Sequence, residues 1–140
     1  MIIRPACPEE WAALEDIQRR ASLALDEYRE VLQANPDAFG LPDGQIERGD
    51  VVVAEIDGRL AGFAALNGSQ LDGLFVEPDL WGAGIGTALV EVAVHEARRR
   101  GLSLVTVVAN PQAKRFYEHC GFRAEGETQT RFGPAVRMSR

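Results

Sequence analysis

The sequence predicts an α/β (α+β) fold, a mixed sheet of six to seven strands with four helices on its faces. Three observations carry that expectation. Two hairpin signals, Asp57-Gly58 and Asn67-Gly68, link three short apolar segments. Apolar residues recur at helical spacing in two stretches, Trp11 to Ala21 and Leu89 to Ala97. Between the later helices, LSLVTVVA (102–109) is a nearly continuous apolar run with β-branched residues, the pattern of a strand buried on both faces.

In chain order, Met1 to Arg4 reads as a short strand. Pro8 suits the first turn of a helix, and Trp11, Leu14, Ile17 and Ala21 supply its apolar stripe. Ser22 is a candidate cap for a second helix running to Gln33, where Asn35-Pro36 stops it. The segments 51–56, 60–66 and 70–76 are the hairpin-linked strands. A glycine-rich stretch, 82–86, then opens a helix reaching Arg100, with Leu89, Val92, Ala93 and Ala97 on its apolar face. After the strand over 102–109, Asn110 then Pro111 pairs a cap residue with a proline at the first helical position. Gly121 ends that helix, and the tail forms one or two strands around Phe132-Gly133-Pro134.

The 140 residues suit one domain spanning 1–140. Hydrophobic content of 46% and charged content of 26% are ordinary for a soluble globular chain. No apolar run approaches the roughly 20 residues of a membrane span. The N-terminus turns acidic too early for a signal peptide. Cys7 and Cys120 are too few for a disulfide framework, and free thiols fit a reducing cytoplasm. A net charge of −6 argues against nucleic acid as a partner. The one basic run, Arg98-Arg99-Arg100, reads as a solvated helix end that offsets the dipole.

The glycines of DLWGAGIGTALV (79–90) raise the main functional question. They could simply form a turn or let the helix pack closely. A dinucleotide fold needs its glycines directly after a strand and an acidic residue about 20 positions on. Here EPDLW intervenes, and positions 104 to 108 carry no acid. A P-loop fails for lack of spacing and lysine. A pyrophosphate cradle built from backbone alone remains: glycines allow close approach and the first-turn amides of a helix point at the anion. Thr87 adds a hydroxyl.

FVEPDLWGAGIGTALV resembles the acyl-CoA-binding signature of the GNAT acetyltransferases, a strand ending near a proline followed by Q/R-x-x-G-x-G/A opening a helix. NPQAKRFYEHCGF (110–122) resembles that family's second signature, N-x-x-A-x-x-F-Y-x-x-x-G-F. Trp81 departs from the family, standing where Gln or Arg is usual. The resemblance implies a GNAT-like, mostly antiparallel central sheet and acetyl-CoA as acyl-donor co-substrate, with no metal. It implies that Leu74, Phe75 and Val76 carry the acetyl-pantetheine arm and that Gly82, Ala83, Gly84, Ile85, Gly86 and Thr87 hold the diphosphate. Trp81 would cover part of the cofactor and Asn110 would reach the pantetheine. Tyr117 matches the tyrosine to which the family assigns protonation of the CoA thiolate; its neighbour Phe116 is read as packing.

The implied activity is direct transfer of acetyl to a primary amine of a small molecule or peptide, in the cytoplasm, with no nucleic-acid or membrane partner and with room for a homodimer. A non-catalytic acyl-CoA sensor or regulatory module is the alternative. The general base stays open. Gln70 occupies the position where some family members carry glutamate, and Asp72, Glu77, Glu55 or a water relay are the alternatives. Strand alternation places Asp72 on the face of Leu74 and Val76. His95 and His119 offer little. For the acceptor, Asp26, Glu27, Tyr28, Glu125 and Glu127, with Arg131 and Phe132, are expected near the mouth, where carboxylates would attract a cationic amine.

Overall fold

A computed structural model describes residues 1–25, 34, 41 and 44–140. Seven strands form one sheet: β1 (Ile2–Pro5), β2 (Val51–Ile56), β3 (Arg59–Asn67), β4 (Gln70–Val76), β5 (Thr106–Ala109), β6 (Arg123–Thr130) and β7 (Gly133–Ser139). Their spatial order is β1-β2-β3-β4-β5-β7-β6. Every neighbouring pair is antiparallel except β4 and β5, which run parallel. Three α-helices are described: α1 (Trp11–Leu23), α2 (Ile85–Arg99) and α3 (Lys114–His119). The sheet and its helices match the expected mixed, mostly antiparallel architecture, with three α-helices among the described residues where four were expected. Most of the expected second helix lies outside the described residues, and Ser22 is an interior residue of α1 rather than a cap.

Local chemistry accounts for the hairpins. Asp57 and Gly58 both take positive φ, 50° and 79°, as a tight two-residue turn requires. The helix ends follow the same logic. Gly101, at φ 86°, lets the amide of Leu102 reach the Ala97 carbonyl at 3.0 Å, and Gly121 does the same for Phe122 and Tyr117 at 2.9 Å.

Two apolar clusters sit on opposite faces of the sheet. Leu14 and Ile17 of α1 pack with Val51, Val53 and Phe63 on one face. Leu89, Val90 and Ala93 of α2 pack with Leu71, Val105 and Val107 on the other. Trp11, expected in the α1 stripe, is instead 48% exposed, one turn before the buried Leu14.

The centre of the sheet departs from the expected pattern. The strand foreseen over 102–109 begins only at Thr106, and Leu104 and Val108 are exposed rather than buried. For Val108 the physical reason is the β4/β5 junction. These strands register only at Gln70 and Thr106, so they splay apart beyond that point and leave a wedge. Register also slips on β4: Leu66 pairs Leu71 while Ala65 pairs Gly73, which makes Asp72 the extra residue of a bulge. Simple alternation therefore breaks at Asp72. Leu71, not only Leu74 and Val76, belongs to the α2-side cluster.

Candidate acyl-donor site at the splayed strands

The wedge between β4 and β5 opens into a cavity of about 920 Å³. Its floor is the end of β4, one wall is the glycine turn and start of α2, and the far side is formed by Val108, Asn110 and Phe116.

Backbone geometry on β4 decides which groups face the wedge. The amide of Glu77 donates to the Ala61 carbonyl at 2.8 Å, so residues 77 and 75 direct their polar groups to β3. In an antiparallel ladder the alternate residues, Leu74 and Val76, direct theirs away from it, toward the side where β5 has splayed off. Phe75 also borders the cavity, its ring 5.5 Å from that of Phe63, while its backbone serves the sheet. The Val76 carbonyl is not free: the indole Nε1 of Trp81 donates to it at 2.8 Å.

Each glycine of the turn has its own reason. Gly82 and Gly84 have φ of 86° and 83°, a region that disfavours side chains, and a Cβ on either would meet nothing within 4 Å. Both border the cavity. Gly86 borders the cavity too, but a Cβ there would lie 3.2 Å from Cζ of Phe116, so it also permits close helix packing. Gly84 is the N-cap of the fifteen-residue α2 and no side chain caps that end. The first-turn amides of α2 therefore lack side-chain acceptors, and the helix dipole adds partial positive charge there. A bare turn, an uncapped helix start and wedge-facing strand amides fit a diphosphate with an extended amide-bearing arm.

The other expected donor-site residues are placed as follows. Ile85 and Thr87 border the cavity, whereas Ala83 is exposed outside its wall. The Thr87 side chain hydrogen-bonds that of Cys120, whose thiol is pushed up mainly by burial. Asn110 lines the cavity and also caps the following turn, its Oδ1 accepting from the Ala113 amide at 3.0 Å. Tyr117 is 8% exposed, its ring edge-on to Phe116 and Phe122 at 5.1 and 5.5 Å. Phe116, not Tyr117, is on the cavity wall. Desolvation pushes the Tyr117 phenol well above its usual value, so it stays protonated at any physiological pH.

The three carboxylates considered as bases separate clearly. Glu77 is buried, and both its oxygens accept from Arg20 at 2.9 Å. Glu55 accepts from Arg4 at 3.1 Å on β2. Neither borders the cavity, while Asp72 and Gln70 do.

The expected acidic mouth is not there among the described residues. Glu125 and Glu127 lie exposed on β6, the sheet's outer strand, away from the wall. Phe132 does line the cavity, beside Thr130 and Pro134, and the Arg131 guanidinium stacks over its ring at 5.0 Å. Asp26, Glu27 and Tyr28 lie outside the described residues. Sequence reasoning missed Ala21 and Ser22 at the end of α1, Leu25 just beyond it, and Val108, all of which border the cavity. The α1 residues were hidden because the same stripe that buries Leu14 and Ile17 continues into the wall. The basic run was also understated: Arg100 reaches Asp50 at 2.7 Å and the Gly49 carbonyl at 3.0 Å, tying the α2 end to the start of β2.

Three comparisons bear on this arrangement. The model of the acetyltransferase (GNAT) family matches residues 10–122. The peptidyl-lysine N-acetyltransferase YjaB of Escherichia coli is 36% identical over 103 residues, which is 74% of this chain and 65% of that protein, just short of two thirds of its length. Among solved structures, a GCN5-related N-acetyltransferase from Rhodopseudomonas palustris superposes with a TM-score of 0.82 at 25% identity, covering 99% of this chain and 94% of that one. The fold of yncA from Salmonella typhimurium, solved with acetyl-CoA, is also shared, with a TM-score of 0.72 at 20% identity over 100% of this chain and 92% of that one. With the family model spanning most of the sequence and the overall fold shared, the chain belongs to the GNAT acetyltransferase family.

Proposed function

We propose that residues 1–140 work as one acyl-CoA-binding unit, an N-acetyltransferase that moves acetyl from acetyl-CoA directly to a primary amine. The observation that carries this reading is the continuous path from the uncapped start of α2, past Gly82 and Gly84, to the wedge-facing backbone of Leu74 and Val76. Family membership supports it, as do the acetyl-CoA complex of the yncA fold and the lysine-acetylating name of the E. coli relative. The acceptor belongs to the amines generally; a peptide lysine is the specific case that relative suggests. With two unpaired cysteines, Cys7 and Cys120, a reducing cytoplasmic setting suits the chain.

Acetyl-CoA supplies an activated acyl carbon and a thiol leaving group. The protein must do the rest. An alkylammonium must lose a proton to a chain of water or a nearby base, because at a pKa near 10.4 only about one amine in a few thousand is neutral at pH 7. Its nitrogen then bonds to the thioester carbon, the carbon–sulfur bond breaks, and the departing sulfur takes a proton. A wedge-facing amide of Leu74 or Val76 donates to the carbonyl oxygen as negative charge develops there. Phe75 is excluded from that duty, since its amide faces β3. Tyr117, held protonated by its buried surroundings, is the proposed proton donor to sulfur.

A thermal-shift comparison of acetyl-CoA, CoA, NAD and ATP tests the reading. A ligand at a hundred times its Kd adds about 2.7 kcal/mol of stability. Stabilisation by acetyl-CoA and CoA alone supports the donor site; stabilisation by NAD or ATP without CoA overturns it. Release of free thiol with a panel of amines then separates an enzyme from a non-catalytic acyl-CoA module.

A further inference from the structure

Glu77 carries a buried carboxylate outside the cavity wall, yet each of its polar groups is engaged. It directly follows the last residue of β4. Its amide donates to the Ala61 carbonyl at 2.8 Å, and its carbonyl accepts from the Leu80 amide at 2.9 Å, closing the turn that leads to Trp81 and the glycines. Its two carboxylate oxygens accept from Nε and Nη2 of Arg20, each at 2.9 Å. Three elements, β3, the turn before the glycines and α1, therefore meet at one residue. Beside them Arg59 donates to Asp79 at 3.0 and 2.8 Å, bracing the same turn against the start of β3.

Arg20 lies in the last turn of α1, directly before the cavity residues Ala21 and Ser22. The apolar anchoring of the helix lies further back, where Leu14 and Ile17 belong to the buried cluster on that face. A planar guanidinium that grips a carboxylate through two parallel bonds fixes angle as well as distance. We propose that Arg20 and Glu77 form a positioning joint, which sets the α1 wall of the cavity against the donor turn. The proposal rests on the acetyltransferase reading above. Donor binding does not need the joint, because Trp81 to Val76, Leu80 to Glu77 and Arg59 to Asp79 hold the turn without α1. Its loss frees the end of α1, and with that wall the alignment of amine and thioester.

Hydrogen exchange and kinetics test the joint on the whole chain. Glu77→Gln removes the charge and keeps the shape. Arg20→Met combined with Glu77→Gln leaves no orphaned charge and serves if the single variant misfolds. Glu10→Gln, which breaks an ion pair with Arg4 just before α1, is the control for lost stability. In the Glu77 variants the amides of Ala24 and Leu25, which donate to the Arg20 and Ser22 carbonyls, should exchange about tenfold faster or more. Those of Leu14 and Ile17 should hold. The kcat/KM for an N-blocked lysine amide should fall about ten- to a hundredfold, the cost of a misplaced reactant, with the Kd for CoA near wild type. Glu10→Gln should show neither change. Unchanged exchange at Ala24 and Leu25 overturns the proposal. So does a loss of CoA affinity that matches the loss in kcat/KM, or an equal loss in kcat/KM from Glu10→Gln. Should wild type bind no CoA or acetylate no lysine amide, the acetyltransferase reading or its lysine case falls instead, and the exchange rates alone uphold or overturn the joint.

Discussion

The indole nitrogen of Trp81 donates to the carbonyl of Val76 at 2.8 Å, folding the chain back on the last residue of β4 just before the glycine turn begins. Trp81 is half exposed and borders the donor cavity. Its hydrogen bond fixes the entry angle of the turn relative to the wedge-facing amides, so both ends of the proposed arm site share one anchor. Trp81→Phe keeps the ring and removes only the donor. A neutral hydrogen bond is worth about 1 kcal/mol, so CoA affinity should fall about fivefold with little change in fold. Calorimetric titration with CoA measures this, and an unaltered or tighter Kd would show that the indole does not hold the cradle.

Gly84 offers a sharper probe of the diphosphate. Any side chain at its φ of 83° is strained, but an added Cβ would not clash, since nothing lies within 4 Å of it. Gly84→Ala should therefore cost about 1 kcal/mol of stability and little CoA affinity beyond that. Gly84→Asp places a carboxylate at the start of α2, where it favours the helix dipole and repels a diphosphate. The aspartate variant should be no less stable than the alanine variant yet lose CoA binding. Equal affinities for the two would mean that no anion docks at this turn.

Glu10 predicts how the protein responds to acid. It accepts from Arg4 at 2.9 and 2.7 Å and from the Cys7 amide at 2.8 Å. The Arg4 hydrogen bonds, opposed by partial burial, pull its pKa down to about 2 from the usual 4.5. A depressed carboxylate stabilises the folded state above its unfolded pKa and loses that contribution as pH falls through the folded value. The window is therefore pH 4.5 down to 2. Glu10→Gln should lower stability at pH 7 and flatten the stability–pH curve across that window. Chemical denaturation at pH 7, 4.5 and 3 checks both, and a variant curve parallel to wild type would remove Glu10 from the acid limb.

Local signals made much of this fold legible. The strand 70–76 matches β4 residue for residue, and Asp57-Gly58 turns where expected, because hairpin turns and period-two patterning are encoded by neighbours in sequence. What failed depends on distant contacts. Val108 looks like core until β5 splays from β4 and uncovers it. Glu77 looks like a free strand carboxylate until Arg20, 57 residues away in sequence, takes both its oxygens. Asp72 was placed by alternation, and a bulge breaks alternation at that residue. The glycines were legible as a group, but only their surroundings separate the two that bend the backbone from Gly86, which lets Phe116 pack on α2.

Tyr117 is where the chemistry meets the packing. Its phenol is buried and held protonated, edge-on to two phenylalanines, with Phe116 rather than itself on the cavity wall. A proton donor gains from such a setting, since it cannot ionise prematurely, provided the wall yields enough for its hydroxyl to meet the sulfur. Tyr117→Phe preserves the ring contacts and deletes that hydroxyl. General acid catalysis contributes about a hundredfold or more, so kcat should fall at least that far while KM for acetyl-CoA holds. A packing residue would give another pattern: stability would fall and kcat would not. If kcat is retained at every pH between 6 and 9, the thiolate is protonated by water and Tyr117 belongs to the core alone.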